Sequence, residues 1–214
     1  MKARNYTRIF RELGCGKSAL NVDLVAAETQ EEGEMEIGDE KKLGELIVYI
    51  SLKSARDPLF GATKLNKLLY FSDFLAFGNF GKPITAVIYQ HLENGPAPRR
   101  FKVVEQNLIQ QQAIAVQKIK LASGKTQIKT VALRNPDLRE FTADEIALID
   151  ELIERHWEDD ADGISRHSHN YVGWKMTKMK ETIPYGSIFL SDESLTDAEI
   201  VRGQELAAHY GWVA

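Results

Sequence analysis

Apolar residues recur at every third or fourth position over most of the chain beyond residue 40, and this spacing predicts amphipathic helices. In the first such segment, residues 41–54, one helical face carries Leu43, Leu46, Ile47 and Ile50. The next segment, residues 63–78, is apolar on almost every side, which is typical of a helix at the centre of its domain. We therefore expect the other helices to pack around this second one.

Residues at the two ends of the central helix give its expected limits. Thr63 is a candidate N-cap, because a threonine hydroxyl accepts a hydrogen bond from a free N–H group of the first helical turn. Gly78 and Gly81, followed by Pro83, are expected to end the helix. An extended segment over residues 85–92 should follow.

A turn is predicted at Asn94-Gly95-Pro96-Ala97-Pro98, where glycine and proline cluster. Pro98 would suit the first position of a helix, since that position needs no N–H donor. Phe101, Val104 and Leu108 then continue with helical spacing. The turn is therefore expected to lead directly into a third helix.

Two β-prone runs on either side of Ser123-Gly124 predict a β-hairpin. Ile119 and Leu121 alternate with Lys118 and Lys120, which predicts one buried face and one solvated face.

The last third of the chain is predicted to be helical. Thr142 with Glu145, and Thr196 with Glu199, have the spacing of capping boxes, each ahead of an apolar helical pattern. The whole pattern predicts a mostly α fold (α+β), a compact helical domain with a small β-hairpin or sheet.

The chain has 214 residues, with 27 basic and 31 acidic side chains and a net charge of −4. This mild acidity argues against nucleic acid as the partner, since nucleic-acid binders usually carry a basic excess. No apolar run approaches the roughly 20 residues that a membrane span needs, and the first residues do not resemble a signal peptide. The single cysteine, Cys15, allows no intrachain disulfide, so we expect the protein to be cytoplasmic.

The first 37 residues differ in charge from the rest of the chain. Basic side chains dominate residues 1–20, whereas residues 28–40 carry seven carboxylates and no base. Charge runs of this kind are typical of solvated linkers and tails. We predict an N-terminal appendage with an acidic linker over residues 1–37, and the main domain over residues 38–214.

Motifs for catalysis or metal binding are weak. Gly16-Lys17-Ser18 matches only the end of a phosphate-binding loop, because Arg11 stands where its first glycine belongs. Candidate metal ligands occur at His156, Asp159, Asp160, Asp162, His167 and His169. Their spacing lacks a helical His-x-x-x-His pair, so we expect surface or capping histidines. We predict no catalytic residue, no metal, no cofactor and no enzymatic activity.

A polar row interrupts the apolar central helix. Asn66, Tyr70 and Asp73 share one helical face through their i, i+4, i+7 spacing, and Lys64 and Lys67 lie beside it. A buried polar row costs free energy unless its members are hydrogen-bonded. The row therefore predicts either an internal network that fixes a neighbouring loop or a contact surface for a partner.

Three basic residues, Arg99, Arg100 and Lys102, begin the third predicted helix, where cations oppose the helix dipole. An anion nearby would remove that cost, and it could be a carboxylate of this domain, an acidic partner surface or nucleic-acid phosphate.

The hairpin that follows allows an alternative function, a winged-helix-like DNA-binding regulator with the hairpin as its wing. Phosphate contacts would then come from Lys118, Lys120, Lys125 and Lys129.

The sequence resembles a known family most clearly at residues 61–99, which read GATKLNKLLYFSDFLAFGNFGKPITAVIYQHLENGPAPR. This string is similar to the signature of the Panacea domain of SocA-like antitoxins, a family that is often phage-associated. The resemblance continues through the hairpin and residues 141–157, and then through Ser168-His169, Gly173-Trp174 and residues 183–200. It extends over about residues 38–212.

The resemblance implies an antitoxin of a toxin–antitoxin module, which neutralises a cognate toxin protein by direct binding. One branch of the family also acts as an adaptor that delivers its toxin to a ClpXP-type protease. No catalytic residue is implied. We expect partner contacts at Lys64, Lys67, Tyr70, Asp73, Arg99 and Arg100. We expect scaffold positions at Asn66, Asn94, Gly95, Pro96, Pro98 and Trp174.

Overall fold

The computed structural model describes residues 38–121, 124–194 and 196–210. In chain order its helices and strands are α1 (Glu40–Lys53), α2 (Ala62–Phe80), β1 (Tyr89–Gln90), β2 (Ala97–Pro98), α3 (Phe101–Gln110), β3 (Ile114–Lys120), β4 (Thr126–Ala132), α4 (Ala143–Arg155), α5 (Ala161–His169), α6 (Val172–Met176) and α7 (Asp197–Tyr210). Short 3-10 helices lie at Leu138–Glu140 and Tyr185–Phe189. The mostly α fold with a small β component is confirmed.

Helix α2 is the centre of the core, as its all-round apolar pattern predicts. It packs against α1, α4, α5 and the 3-10 helix at Tyr185–Phe189. Leu68, Leu69, Phe71 and Phe74 are at most 1% exposed. Each large apolar side chain buried in this way stabilises the fold by roughly 1.5–3 kcal/mol, so α2 is the element on which the domain depends most.

The ends of α2 differ from those predicted. Gly61 is the N-cap and makes no side-chain bond, while Thr63 lies inside the helix. Gly78 is also helical, and the helix ends at Gly81, which adopts the left-handed conformation (φ 74°) that suits a glycine C-cap. The Thr63 prediction was wrong because the helix begins one residue earlier, at Ala62.

The prediction that Pro98 begins a helix is also wrong. Strands β1 and β2 pair antiparallel, with Tyr89 opposite Pro98, and the Arg99 N–H donates to Ile88 O at 2.8 Å. The chain is therefore extended at Pro98, turns at Arg99 and Arg100, and enters α3 with Arg100 as the N-cap. A proline lacks the N–H donor but not the carbonyl acceptor, so it is tolerated in such a short edge pair.

The predicted hairpin is confirmed, with β3 and β4 paired from Ile114 opposite Ala132 to Lys120 opposite Thr126. The prediction that one face of the hairpin is buried is wrong for Ile119 and Leu121. Ile119 is 36% exposed and Leu121 39% exposed. Strand β4 packs against α1, α2 and the loop between them, and β3 packs against α3. No helix covers its tip within the described residues, so both faces there meet solvent.

Both predicted capping boxes are present. The N–H of Thr142 donates to Glu145 Oε2 (2.8 Å) and the N–H of Glu145 donates to Thr142 Oγ1 (3.2 Å). Thr196 and Glu199 exchange the same two bonds at 2.9 and 3.3 Å. They start α4 and α7, and α7 leaves most of its side chains exposed.

Several predictions concern positions beyond the described residues. The appendage over residues 1–37, the phosphate-loop-like Gly16-Lys17-Ser18, Cys15 and Ser123 of the hairpin turn all lie outside them. Among the helices that are described, none combines the length and apolar character that crossing a membrane requires.

Candidate functional site

The predicted polar row lies in the interior of the domain. Tyr70 and Asp73 are 0% exposed, Lys64 is 1% exposed and Lys67 is 2% exposed. Between residues 63 and 77, every side chain is buried except the half-buried Thr63 and Asn66. This helix therefore offers a partner almost no surface, and contact with the four buried side chains would require the domain to open.

Asp73 holds the segment between α2 and β1 against the central helix. Its carboxylate accepts bonds from the Thr85 N–H (2.6 Å), the Thr85 hydroxyl (2.5 Å) and the Tyr89 hydroxyl (2.8 Å). Burial raises the pKa of Asp73 to about 6, although the three donors act in the opposite direction. The side chain thus belongs to an internal network that fixes the approach to β1.

Lys64 joins two loops that are distant in sequence. Its Nζ lies 2.6 Å from Asp57 Oδ2 and donates to the carbonyls of Trp157 and Asp159, each at 2.9 Å. An ammonium group has three N–H donors, so all three are used. Lys64 therefore acts as an internal connector between the α1–α2 loop and the α4–α5 loop.

Lys67 lies beneath the turn at residues 94–98. Its Nζ donates to Pro96 O at 2.9 Å. Burial lowers the pKa of Lys67 to about 7, because the charged form loses its hydration. The α-carbon of Gly95 lies so near the amine that a Cβ there would be 2.6 Å from Lys67 Cε and 3.0 Å from Lys67 Nζ. The turn thus closes over a lysine that is only partly protonated near neutral pH.

We predict that Gly95→Ala destabilises the fold by about 1–3 kcal/mol. Gly95 has φ +94°, and an alanine Cβ would lie 2.6 Å from both Lys67 Cε and Ser168 Oγ. Gly124→Ala is the matched control, since Gly124 has φ +79° and nothing within 4 Å of such a Cβ. Chemical denaturation followed by circular dichroism should show a larger loss for Gly95→Ala. Equal losses would mean that backbone strain alone requires the glycine.

An aromatic stack lies next to Lys67. The Trp174 ring is stacked between His91 (centroids 4.3 Å apart) and His169 (3.9 Å). His91 Nδ1 lies 3.0 Å from Trp174 O, and burial together with the charge of Lys67 lowers the pKa of His169. Trp174, which the family resemblance marks as a scaffold position, thus connects α6 to the β1 region.

The remaining predicted scaffold positions make local contacts. Asn66 Nδ2 donates to Ala62 O at 2.8 Å, one turn earlier in α2. Asn94 O accepts a bond from the Ser165 hydroxyl at 3.3 Å, which ties the turn to α5. Pro98 holds the short β pair described above.

Arg99 and Arg100 are exposed, in contrast to the polar row. Arg99 donates to the Thr182 hydroxyl at 2.7 Å, and Arg100 is ion-paired with Glu40. A small surface pocket of about 40 Å³ is lined by both arginines and also by Gly38, Glu40, Val87 and Ile88. The carboxylate of Glu40 supplies the anion that cations at a helix N-terminus require, and both guanidinium groups still face solvent.

The hairpin lysines differ in their surroundings. Lys129 Nζ donates to Ala55 O (2.9 Å) and Asp57 O (3.0 Å), so it fixes the hairpin to the α1–α2 loop. Lys125 lies 3.9 Å from Asp162. Lys118 and Lys120 are exposed, so these two are the best placed of the four for contact with a phosphate backbone.

Three of the candidate metal ligands meet between α4 and α5. His156 Nδ1 is 2.7 Å from Asp159 Oδ2, and His167 Nε2 is 3.5 Å from the same oxygen. His169 points to the Trp174 stack instead. Of the two predicted roles, surface or capping, His156 has the second, because it is the C-cap of α4. It is 1% exposed, and burial lowers the pKa of its imidazole. Its position at the end of an amphipathic helix was the signal in the sequence.

Comparison with known proteins gives one family. A sequence model described as antitoxin SocA-like, Panacea domain, matches residues 65–175, slightly more than half of the chain. This span is narrower than the resemblance over residues 38–212. It includes Lys67, the turn at residues 94–98, the arginine pair and Trp174. Searches of curated proteins and of solved structures give no match.

Proposed function

The chain belongs to the family of SocA-like antitoxins with a Panacea domain, and from this membership we propose that it neutralises a cognate toxin protein by binding it directly. The match over residues 65–175 carries the proposal, since it takes in the central helix and the turn that closes over it. A role of this kind needs an exposed surface that recognises the toxin, and it needs no catalytic residue.

The arginine pair is our proposed contact surface. Of the six side chains that the sequence assigned to the partner, Arg99 and Arg100 are exposed while the other four are buried. Beside the two guanidinium groups lies a pocket whose lining is mostly apolar and includes Val87 and Ile88. Such a mixture suits an acidic side chain of the toxin flanked by apolar residues, because arginine forms two-pronged bonds with carboxylates.

The function is tested by growth rescue. The open reading frame next to this gene is expressed under tight induction, with and without this chain, and the pair is then co-purified. Rescue together with a stable complex is the expected result. If neither neighbouring gene is toxic, the antitoxin proposal fails.

The arginine pair is tested by charge reversal. Arg99→Glu/Arg100→Glu should weaken toxin binding by at least tenfold, because an acidic patch would then oppose the toxin. Both side chains are exposed, so the loss of their local bonds should cost no more than about 1 kcal/mol of stability. Binding is measured by calorimetry, and the helical circular dichroism spectrum should be unchanged.

The matched control is Lys118→Glu/Lys120→Glu, which makes the same change of charge at the exposed hairpin. It should leave toxin binding intact. If the control weakens binding as much as the arginine variant, the effect is one of net charge and the proposed surface is wrong.

The same control variant tests the DNA-binding alternative. A wing that contacts phosphates would give duplex binding that falls steeply with salt and is lost in Lys118→Glu/Lys120→Glu. A low-salt gel shift without a complex would remove this alternative.

The adaptor role is a further proposal, in which the chain delivers its toxin to a ClpXP-type protease. Rescue without a stable complex, accompanied by loss of the toxin from cells, would support it. Deleting residues 1–37 tests whether the N-terminal segment is the tether, because unchanged toxin turnover would exclude that segment.

A further inference from the structure

A group of three metal-ligating atoms lies between α4 and α5. His156 Nδ1, an oxygen of Asp159 and a ring nitrogen of His167 all lie within 4.8 Å of one another. Two imidazole rings and one carboxylate are a ligand set used by zinc and similar late first-row ions. The group joins the C-cap of α4, the following loop and α5.

Distances within the group suit a single ion. Ligand atoms around a tetrahedral zinc ion lie about 3.3 Å apart, and Asp159 Oδ2 is 3.5 Å from His167 Nε2 and 2.7 Å from His156 Nδ1. Two imidazole rings on one such ion have centroids about 5 Å apart. The His156 and His167 centroids are 5.5 Å apart.

Two of these residues, His156 and Asp159, are held in place through contacts that need no metal. The His156 N–H donates to Leu152 O (3.1 Å), and its ring stacks on Phe71, with the two centroids 5.1 Å apart. The Asp159 N–H donates to His156 O (3.2 Å), and Asp159 O accepts from Lys64 Nζ. A site prepared in this way loses little conformational entropy when it binds an ion.

The loop that carries Asp159 is acidic, and the side chains of Arg155 and Arg166 also lie near the group. Residues 158–162 supply Glu158, Asp159, Asp160 and Asp162 and no base. The charge of Lys64 is balanced by Asp57 at 2.6 Å. Asp159 and His167 are 26% and 37% exposed, so an ion can enter from solvent.

We propose that His156, Asp159 and His167 bind one divalent transition-metal ion of the zinc type, with the fourth coordination position open to solvent. His156 Nε2 has no hydrogen-bond partner among the described residues, so the outer bond that usually strengthens a ligating histidine is missing there. The site has three protein ligands and lacks this outer hydrogen bond. We therefore expect a dissociation constant on the order of 1 µM, which is weaker than that of a four-ligand structural site.

The test uses the full chain, stripped with a chelator and titrated with Zn²⁺ by calorimetry. One equivalent should bind, and Co²⁺ should give the visible absorption of a tetrahedral site with nitrogen and oxygen ligands. His167→Gln and Asp159→Asn should each weaken binding at least tenfold, with an unchanged circular dichroism spectrum. Because His167 is on the surface, its variant is expected to fold.

Two control variants exclude other ligands. His209→Gln changes an exposed histidine on α7, and Cys15→Ser removes the single thiol. Both should bind Zn²⁺ as the unaltered chain does. The proposal is overturned if Zn²⁺ at 100-fold the expected dissociation constant, on the order of 100 µM, does not bind. It is equally overturned if His167→Gln and Asp159→Asn leave binding unchanged.

Discussion

Lys64→Met is expected to lower the free energy of unfolding by about 3–5 kcal/mol, because it removes one partner of an ion pair that is buried on both sides. The side chain of Lys64 is 2% exposed and that of Asp57 is 1% exposed, and their charged atoms are 2.6 Å apart. Methionine fills a similar volume, so the loss reports the charge and hydrogen bonds rather than a cavity.

The loss of stability in Lys64→Met arises from the polar groups that stay buried without their partner. Asp57 would keep the bond from the Leu59 N–H (2.7 Å) but lose its counter-charge. The carbonyls of Trp157 and Asp159 would lose their shared donor. Since burying an unpaired charge is far more costly than burying a neutral polar group, most of the loss should come from Asp57.

The measurement is urea denaturation at pH 7, followed by circular dichroism. Lys53→Met is the matched control, because Lys53 pairs with Asp150 at 3.0 Å while both side chains are more than 40% exposed. An exposed pair of this kind contributes at most about 1 kcal/mol. Lys64→Met/Asp57→Asn should recover part of the loss. If Lys64→Met lowers the free energy of unfolding no more than Lys53→Met does, the Lys64–Asp57 pair is hydrated in solution and the conclusion that it is buried is wrong.

Elements set by local pattern could be predicted from the sequence. The helix over residues 41–54 and the central helix over residues 63–78 were found within one or two residues, since their apolar spacing and end residues are adjacent in the chain. Pro98 shows the limit. Its segment is extended because it pairs with Tyr89, and a pairing partner nine residues away overrides a local preference for the first turn of a helix.

The buried lysines could not be located in this way. Lysine is almost never fully buried unless it is paired, and the acceptors of Lys64 and Lys67 come from residues 57, 96, 157 and 159. These acceptors include backbone carbonyls, which carry no signal in the sequence. The polar spacing of α2 did suggest an internal network as one alternative, but not which lysines it contained.

The candidate metal ligands His156, Asp159 and His167 also could not be grouped from a local sequence pattern. They are close because α4 and α5 both pack against α2 and a short loop joins them. A search for histidines at helical spacing misses a group whose members come from the end of one helix, the loop and the next helix. His167 and His169, two positions apart, in fact point to different neighbours, one to Asp159 and the other to Trp174.

Lys67 is expected to make stability rise with pH above neutrality. Burial lowers its pKa from 10.5 to about 7. Between these values the unfolded chain carries a proton that the folded domain lacks, so the free energy of unfolding increases by about 1.36 kcal/mol per pH unit. Between pH 7 and pH 10.5 the total increase in the free energy of unfolding is about 3–5 kcal/mol. Below pH 7 both states are protonated and the domain bears the full cost of the buried charge.

Lys67→Met should abolish this dependence, because methionine does not titrate. The difference in unfolding free energy between the unaltered chain and the variant should therefore change by about 3–5 kcal/mol between pH 7 and pH 10, measured by urea denaturation across that range. Lys53→Met should show no such change below pH 10, since the ion pair with Asp150 raises the pKa of Lys53 above 10.5. A Lys67→Met difference that stays flat would mean that the amine remains charged beside Pro96 O at pH 10. A steep difference would mean that the buried Lys67 lowers the stability of the domain at neutral pH.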